Sequence, residues 1–181
     1  MRKMLFVITV ISLVVATGTS NAQKATTKDQ LVGTWKVVVL KAASGDKVSY
    51  PLGERPAGYV SITSDRIWLL FVDSTRKAPA AAALTDAEAI SMMKSQVAWT
   101  GKYTTADQTP DGLKITAHVD AASSQAITGI DRVYFMRVDG DKLTMKSPGV
   151  IVPMTGATSV VEIILTKGRI TIPRHRLWGA R

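Results

Sequence analysis

The 181-residue chain contains no cysteine. Its fold must therefore form without disulfide bonds, and thiol catalysis, cysteine-based zinc sites and thiol redox chemistry are excluded. Histidine is nearly as scarce, with two residues in the chain. The sequence also lacks His-x-His, His-Glu-x-x-His and an acidic calcium loop, which are patterns typical of metal sites. We therefore predict neither a metal site nor a cofactor.

Motifs that mark common catalytic sites are absent as well. The glycines lack the spacing of a phosphate-binding loop, and there is no Gly-x-Ser-x-Gly nucleophile elbow. His118 and Asp120 lie two residues apart on one face of a predicted strand, which permits a His-Asp pair. A single histidine without a nucleophile pattern is nevertheless a weak catalytic signal. We predict no catalytic residue and favour a structural role for His118.

Long apolar runs are confined to the N-terminus. Arg2 and Lys3 precede an apolar segment at 4–15, and residues 20–22 offer small side chains at positions −3 and −1 of a cleavage site. This order of features is typical of a secretory signal peptide. The apolar segment is too short for a confident membrane span, and no later stretch approaches the roughly 18 residues that a span needs. We expect residues 1–22 to be removed and the mature protein to be secreted or periplasmic.

Acidic residues are lacking at the C-terminus. Residues 167–181 carry five basic residues and no acid, so the formal charge of +9 falls to +2 once these and the two cations of the leader are removed. A nearly neutral domain lacks the basic face typical of nucleic-acid binding, and we predict no nucleic-acid partner. The segment 168–181 is interpreted as a basic tail that contacts an anionic membrane surface weakly. Ile170, Ile172 and Trp178 favour the alternative that it docks on the domain as an edge strand.

The rest of the sequence is rich in short β-branched and aromatic runs separated by turn signals. The first run, 31–41, is anchored by Trp35, a large rigid side chain suited to plugging one end of a closed sheet. Residues 67–71 are apolar at every position and predict a strand covered on both faces. Strands are predicted at 31–41, 58–63, 66–72, 99–104, 113–119, 130–138, 142–146 and 159–166, with a weaker pattern at 121–128.

One helix is predicted, over 86–97. Thr85 and Glu88 have the spacing of a capping box, which marks the start of a helix. An apolar stripe at helical spacing follows, formed by Ile90, Met93 and Val97. Eight short strands with one helix predict an all-β fold, namely an antiparallel up-and-down barrel that holds one small ligand or is filled by side chains.

The chain divides into four predicted segments. They are a signal peptide at 1–22, a loose N-terminal arm at 23–30, a barrel domain at 31–167 and the basic tail at 168–181. The 159 residues that remain after cleavage fit one domain of ordinary size, which buries about 70% of the surface of its unfolded chain.

Several segments resemble the bacterial and fungal lipocalin-like domain family. Gly33-Thr34-Trp35 matches the Gly-x-Trp signature of lipocalins. The resemblance to the lipocalin-like domain family extends over the segments 31–35, 50–59, 99–103, 129–135 and 140–144. The resemblance implies a calycin-type barrel and, in lipocalins, a late basic residue that packs across the tryptophan, here Lys167 or Arg169. The chain departs from the family pattern at Lys102, where the family usually has arginine, and in its C-terminal extension. Function follows only loosely from the fold, because related barrels bind ligands or catalyse cyclisation and isomerisation.

The candidate ligand-binding residues are large aromatic or charged side chains on the predicted strands: Trp35, Tyr59, Trp68, Tyr103, Arg132 and Tyr134. Arg132 and Glu162 each interrupt an apolar strand, and the pattern leaves open whether each faces the lumen or the solvent. A charge inside a closed barrel is costly unless it is paired or serves a ligand. Arg132 in the lumen would favour a ligand with a carboxylate.

Three functional hypotheses remain. The leading one is a secreted or periplasmic barrel that binds a small, mainly apolar molecule in its lumen. The second is an enzyme on the same barrel, a cyclase or isomerase that uses Arg132 or His118 with a tyrosine. The third is a structural envelope protein with a filled core. A cavity large enough for a ligand separates the first two from the third, and titratable groups converging on it separate the second from the first.

The leader generates the first testable prediction. Cleavage is expected between Ala22 and Gln23, because small residues then occupy positions −3 and −1. N-terminal sequencing of the exported protein should begin at Gln23. A sequence that begins at Met1 in exported material would contradict the prediction.

Overall fold

The computed structural model describes residues 25–152 and 156–168. The helices are α1 (Lys28–Leu31) and α2 (Asp86–Lys94), and a short 3-10 turn spans Gln125–Ile127. The strands are β1 (Gly33–Ser44), β2 (Lys47–Ser49), β3 (Ala57–Ile62), β4 (Arg66–Val72), β5 (Gln96–Thr109), β6 (Gly112–Ala122), β7 (Asp131–Asp139), β8 (Lys142–Ile151) and β9 (Thr158–Lys167). The predicted signal peptide, and the predicted tail beyond Gly168, lie outside the described residues.

All the strand pairs are antiparallel, and from β3 to β9 each strand pairs with the next along the chain. β1 pairs with β3 on one side and with β9 on the other, which closes eight strands into a barrel. β2 pairs with the far end of β1 as an additional strand. The predicted all-β, up-and-down barrel of eight strands is therefore confirmed, and β2 is a ninth strand in a segment predicted to be a turn.

The two ends of the barrel differ. At one end, called the closed end below, tight turns join β3 to β4, β5 to β6 and β7 to β8, and α1 leads into β1. At the other end, called the mouth, lie the longer connections that follow β2, β4, β6 and β8. α2 belongs to the connection between β4 and β5 and therefore lies at the mouth.

Trp35 fills the closed end. Its side chain is fully buried, and its indole Nε1 donates a hydrogen bond to the carbonyl oxygen of Leu31 over 2.8 Å. The Nζ of Lys167 lies over the indole ring, 5.6 Å from its centroid. One side chain of β1 thus contacts α1 and β9 together, as the prediction of an end plug requires. Lys167 is the basic residue that the family resemblance places across the tryptophan.

Side chains fill the half of the lumen next to Trp35. Six strands contribute buried apolar residues there, namely Val60, Ile67, Leu113, Met136, Leu143 and Leu165. Burying one such side chain contributes about 1.5–3 kcal/mol. This half of the barrel is therefore a packed core and offers no room for a ligand.

A β-bulge at Val38 changes which residues of β1 face inward. The register against β9 shifts between Val37 and Val39, so Val38 is an extra residue and turns outward. Before the bulge Trp35 and Val37 are buried, and after it the buried residues are Leu40 and Ala42. Such a bulge bends its strand and increases the local twist, which helps a sheet to close on itself.

Gly101 permits a close approach of β5 and β6. A Cβ at this position would lie 2.0 Å from the carbonyl oxygen of His118, a distance that no side chain tolerates. The register of the two strands shifts at the same point, between Thr100 and Gly101. The glycine in the Trp99-x-Gly101 segment is therefore explained by the fold alone.

Several element boundaries differ from the predictions. α2 ends at Lys94 rather than at residue 97, so Val97 belongs to β5 and leaves the predicted helical stripe. β8 continues to Ile151, although proline and glycine at 148–149 predicted a loop. Its register against β9 shifts between Lys146 and Gly149, and this irregularity accommodates both residues.

The segment before β1 is more ordered than its polar composition predicts. Residues 28–31 form α1, and Leu31 is fully buried. The Oγ1 of buried Thr26 accepts a hydrogen bond from the backbone N–H of Val138 over 3.0 Å. Thr26 and Leu31 therefore pack at the closed end, whereas residues 27–29 are exposed. In the ranges 25–152 and 156–168, no helix has the length and apolar character needed to cross a membrane.

The closed end generates a stability prediction. Trp35→Ala is expected to lower the free energy of unfolding by about 3–5 kcal/mol, because it removes a large buried aromatic side chain and its hydrogen bond. Trp68→Ala is the matched control, since Trp68 lies on the outer face with 45% of its surface exposed. The control should change stability by less than about 1 kcal/mol. Equal losses in urea denaturation would contradict this account of the closed end.

Candidate functional site

The lumen has an unfilled region towards the mouth. It is an apolar cavity of about 70 Å³. Its lining comes from β1, β4, β5, the 3-10 turn and β7 to β9, and consists of Leu40, Leu69, Phe71, Val97, Trp99, Ile127, Arg132, Tyr134, Ser147, Val150, Ile151, Val152, Val161 and Ile163. This volume is well below the roughly 300–1,000 Å³ of typical ligand pockets. The cavity alone therefore suits a small group rather than a whole drug-sized molecule.

Arg132 is the one charged residue in this lining. It lies on the same face of β7 as buried Tyr134 and Met136, and its Nε donates a hydrogen bond to the Tyr134 hydroxyl over 3.2 Å. No carboxylate of the described residues forms a salt bridge with it. A guanidinium has five N–H donors, so most of its donor capacity remains for another acceptor. The structure thus settles the orientation that the sequence left open, and Arg132 faces the lumen.

An aromatic wall stands beside Arg132. The rings of Trp99 and Tyr134 are stacked, with centroids 6.0 Å apart and an angle of 12° between their planes. Ser147 also lines the cavity, but its hydroxyl already donates to the carbonyl oxygen of Pro148 and accepts from the N–H of Val161. Arg132 and Tyr134 are therefore the side chains best placed to recognise a polar group of a ligand.

Two of the six candidate ligand-binding residues lie outside the lumen. Tyr59 and Trp68 are 44% and 45% exposed and point away from the barrel, which corrects the prediction that they line it. The prediction that residues 67–71 are covered on both faces is wrong for the same reason, because inward Ile67, Leu69 and Phe71 alternate with outward residues. Tyr59 and Trp68 were candidates because they are large and aromatic. Side chains alternate between the two faces of a strand, and in both strands this alternation turns the aromatic residue outward.

Trp35 and Tyr103 face inward but lie at the closed end, away from the lining of the cavity. The Tyr103 hydroxyl donates a hydrogen bond to the carbonyl oxygen of Thr63 over 2.8 Å, and the Nζ of Lys28 lies 5.2 Å from the centre of its ring. These contacts support a structural role at the closed end. Of the six candidates, Arg132 and Tyr134 lie together on the cavity, and ligand binding by them stays a prediction.

The His118–Asp120 pair that the spacing permits does not form. His118 lies on the outer face, and its Nδ1 is 2.9 Å from the Oδ1 of Asp131. Asp120 instead forms a salt bridge with Arg66 at 2.6 Å. His118 is thus remote from the cavity lining, in agreement with the structural role favoured from the sequence.

Glu162 faces the solvent side of β9. Its Oε2 lies 3.3 Å from the Nζ of Lys41 on the neighbouring strand β1, and both side chains are about one third exposed. An exposed pair of this kind contributes little to stability, typically 0–1 kcal/mol. Of the two charges that interrupt apolar strands, one therefore faces inward and the other outward.

Several lining residues escaped the sequence reasoning. Trp99 shares the inward face of β5 with Gly101 and Tyr103, so alternation along this strand would have identified it. Ser147, Val150 and Val152 were missed because proline and glycine predicted a loop there, and Ile127 was missed because a 3-10 turn has no apolar period. Within the described parts of the chain, no group of three or more potential metal ligands comes together.

Larger grooves lie outside the lumen. One of about 650 Å³ runs between residues 36–39 of β1 and the segment 50–56, and another of about 640 Å³ separates the segment 73–80 from α2. Both are bordered by charged side chains. A third groove, of about 210 Å³, lies between the C-terminal end of α2 and the 3-10 turn, and it shares Val97 and Ile127 with the lumen cavity.

Tyr103 generates a pH-dependent prediction. Burial raises its pKa above the ordinary value of 10.0, and the nearby carboxylates of Asp65 and Asp29 act in the same direction. The unfolded chain therefore loses this proton at lower pH than the folded protein, and the stabilisation decreases as pH rises above 10. Tyr103→Phe removes this effect together with the hydrogen bond to Thr63, which is worth about 1 kcal/mol. In denaturation measured from pH 7 to 11, the stability difference between the two proteins should narrow above pH 10. A constant difference would contradict the raised pKa.

Comparison with known proteins agrees with the architecture described above. No curated protein matches the chain significantly. A family model described as a lipocalin-like domain matches residues 32–170, which is more than half of the chain and includes every strand from β1 to β9. A lipocalin-like barrel suggests binding of small ligands in general. The chain belongs to the lipocalin-like domain family.

Proposed function

We propose that the protein binds a small, mainly apolar molecule in the mouth half of its barrel, and that a carboxylate on this molecule contacts Arg132. The observation that carries the proposal is the position of Arg132, a cation in the lining of an apolar cavity. None of the described carboxylates pairs with it. The apolar lining would contact the part of the ligand next to the carboxylate.

The energetics of burial support a carboxylate as the polar group. Arg132 is partly buried beside an apolar lining, and its single described hydrogen bond, to Tyr134, leaves most donors of the guanidinium for another acceptor. A carboxylate accepts two parallel N–H bonds from an arginine. Hydrogen bonds to charged groups contribute about 1.5–3 kcal/mol each, which is enough to determine which ligands are retained.

Binding is favoured over the other two functions. An enzyme would need titratable groups that converge on the substrate, and His118 lies on the outer face, so the lining offers the Tyr134 hydroxyl as its proton donor or acceptor. A barrel with a wholly filled core would not leave a cavity beside a cation. The packed core near Trp35 and the cavity near Arg132 together support a barrel with a small ligand site at its mouth.

We also propose that the protein acts outside the cytoplasm, on the strength of the leader at 1–22. The absence of cysteine agrees with a chain that needs no disulfide formation after export. Weak contact of the basic segment 168–181 with an anionic membrane surface is part of the same proposal, and its four arginines support it.

Titration calorimetry with decanoate and with decanol tests the ligand proposal. The purified protein should bind decanoate, and Arg132→Met should weaken this binding at least tenfold, because about 1.5–3 kcal/mol of charged hydrogen bonding is lost. Binding of decanol, which has no charge, should change little in the same variant.

Arg137→Met is the matched control. Arg137 lies on the same strand as Arg132 but on the outer face, where its Nη2 donates to the carbonyl oxygen of Pro110. This control should bind decanoate as the parent protein does. Absence of decanoate binding, or equal loss in both variants, would contradict the proposal.

A further inference from the structure

The lumen cavity is too small to enclose the whole of the proposed ligand. Its volume is about 70 Å³, whereas pockets that enclose small molecules usually measure roughly 300–1,000 Å³. A ligand whose carboxylate contacts Arg132 fills this space with a few atoms. The remainder of the molecule must therefore extend out of the cavity.

The groove beneath α2 continues from the cavity. It measures about 210 Å³ and is lined by Met93, Lys94, Gln96, Val97, Ser123, Ser124 and Ile127. Val97 and Ile127 belong to both linings, so the two spaces adjoin at these side chains. The two volumes add to about 280 Å³, which approaches the size of an ordinary ligand pocket.

Helix α2 has exposed apolar side chains, one of which, Met93, contacts the barrel through its Sδ, an acceptor for the Nε2 of Gln96 on β5 over 3.6 Å. None of its residues is buried, and Ile90 and Met93 are 55% and 53% exposed. The helix is nevertheless well defined at its start, because the Thr85 hydroxyl accepts from the N–H of Glu88 and the Glu88 carboxylate accepts from the N–H of Thr85. Such reciprocal capping stabilises a helix that gains little from packing.

The base of the segment that carries α2 is tied to the barrel. The backbone N–H of Asp73 donates to the carbonyl oxygen of Ser95 over 2.9 Å, which joins the end of β4 to the start of β5. Glu88 also accepts a hydrogen bond from the N–H of Ala80, which ties the loop to the helix. Met93, near the C-terminal end of α2, is thus held beside the groove.

We propose that this groove is a second subsite, which binds the apolar chain of a ligand whose carboxylate lies at Arg132. The inference rests on the proposed function and extends it, because it assigns the ligand class as an amphipathic monocarboxylate with a hydrocarbon chain that extends beyond the lumen. Met93 contacts this chain from α2, and Val97 and Ile127 contact it where it passes from the cavity into the groove. Burying an exposed methionine and the ligand chain against each other provides the affinity.

A series of straight-chain carboxylates tests the subsite. Affinity measured by calorimetry for hexanoate, octanoate, decanoate and dodecanoate should rise along the series, by up to about fourfold for each added methylene that enters the groove. Met93→Ser should weaken dodecanoate binding about five- to tenfold and leave hexanoate binding unchanged. Met93 is exposed, so the variant should melt at the same temperature as the parent protein.

Met92→Ser is the matched control, because Met92 is adjacent in sequence but lines the groove on the other side of α2. It should bind every member of the series as the parent protein does. Equal affinity for hexanoate and dodecanoate, or equal effects of the two methionine variants, would overturn the subsite.

If hexanoate still binds in a manner that depends on Arg132, the proposed function survives that result. If no member of the series binds the parent protein, both proposals are overturned.

Discussion

The contact of Trp35 with Leu31 and Lys167 is the interaction on which the closure of the barrel depends. Strands β1 and β9 come from opposite ends of the domain, and the indole packs where they meet. The hydrogen bond from its Nε1 brings α1 over the same end. Ring closure over such a long sequence separation carries a large entropic cost, which a dense cluster of buried contacts offsets. The open mouth is tolerable because the closed end supplies this packing.

The lumen is divided according to the chemistry of its side chains. Near Trp35, leucine and methionine side chains interlock and exclude any occupant, whereas near Arg132 the apolar lining leaves space beside a cation. The cavity leaves its lining atoms without packing partners, and the partly buried Arg132 has no acidic partner among the described residues, so close packing alone does not account for the two features together. The proposed ligand would account for both features at once, since an amphipathic anion would fill the space and pair with the guanidinium.

The fold was largely predictable because alternation and turn signals are local properties of a meandering barrel. The position of Trp35 at one end of the barrel was predictable, since a Gly-x-Trp at the start of the first strand is both a local pattern and a family signature. Tyr59 and Trp68 were misplaced because residue type was allowed to outweigh strand parity. The orientation of Arg132 depends on the register of β7 in the closed sheet, which only the three-dimensional pairing fixes. Residues 147–152 were missed because a bulge absorbs the proline and glycine that predicted a loop.

The position of the chain ends determines how the molecule would stand on a surface. The described chain enters beside α1 and leaves at Gly168, whose backbone N–H donates to the carbonyl oxygen of Thr34, so both ends emerge at the closed end. The mouth is at the opposite pole. A molecule tethered at either end of the described chain, whether to a support, a fusion partner or a cell surface, would therefore present its mouth outward. Attachment at these positions should leave the mouth accessible from the surrounding solution.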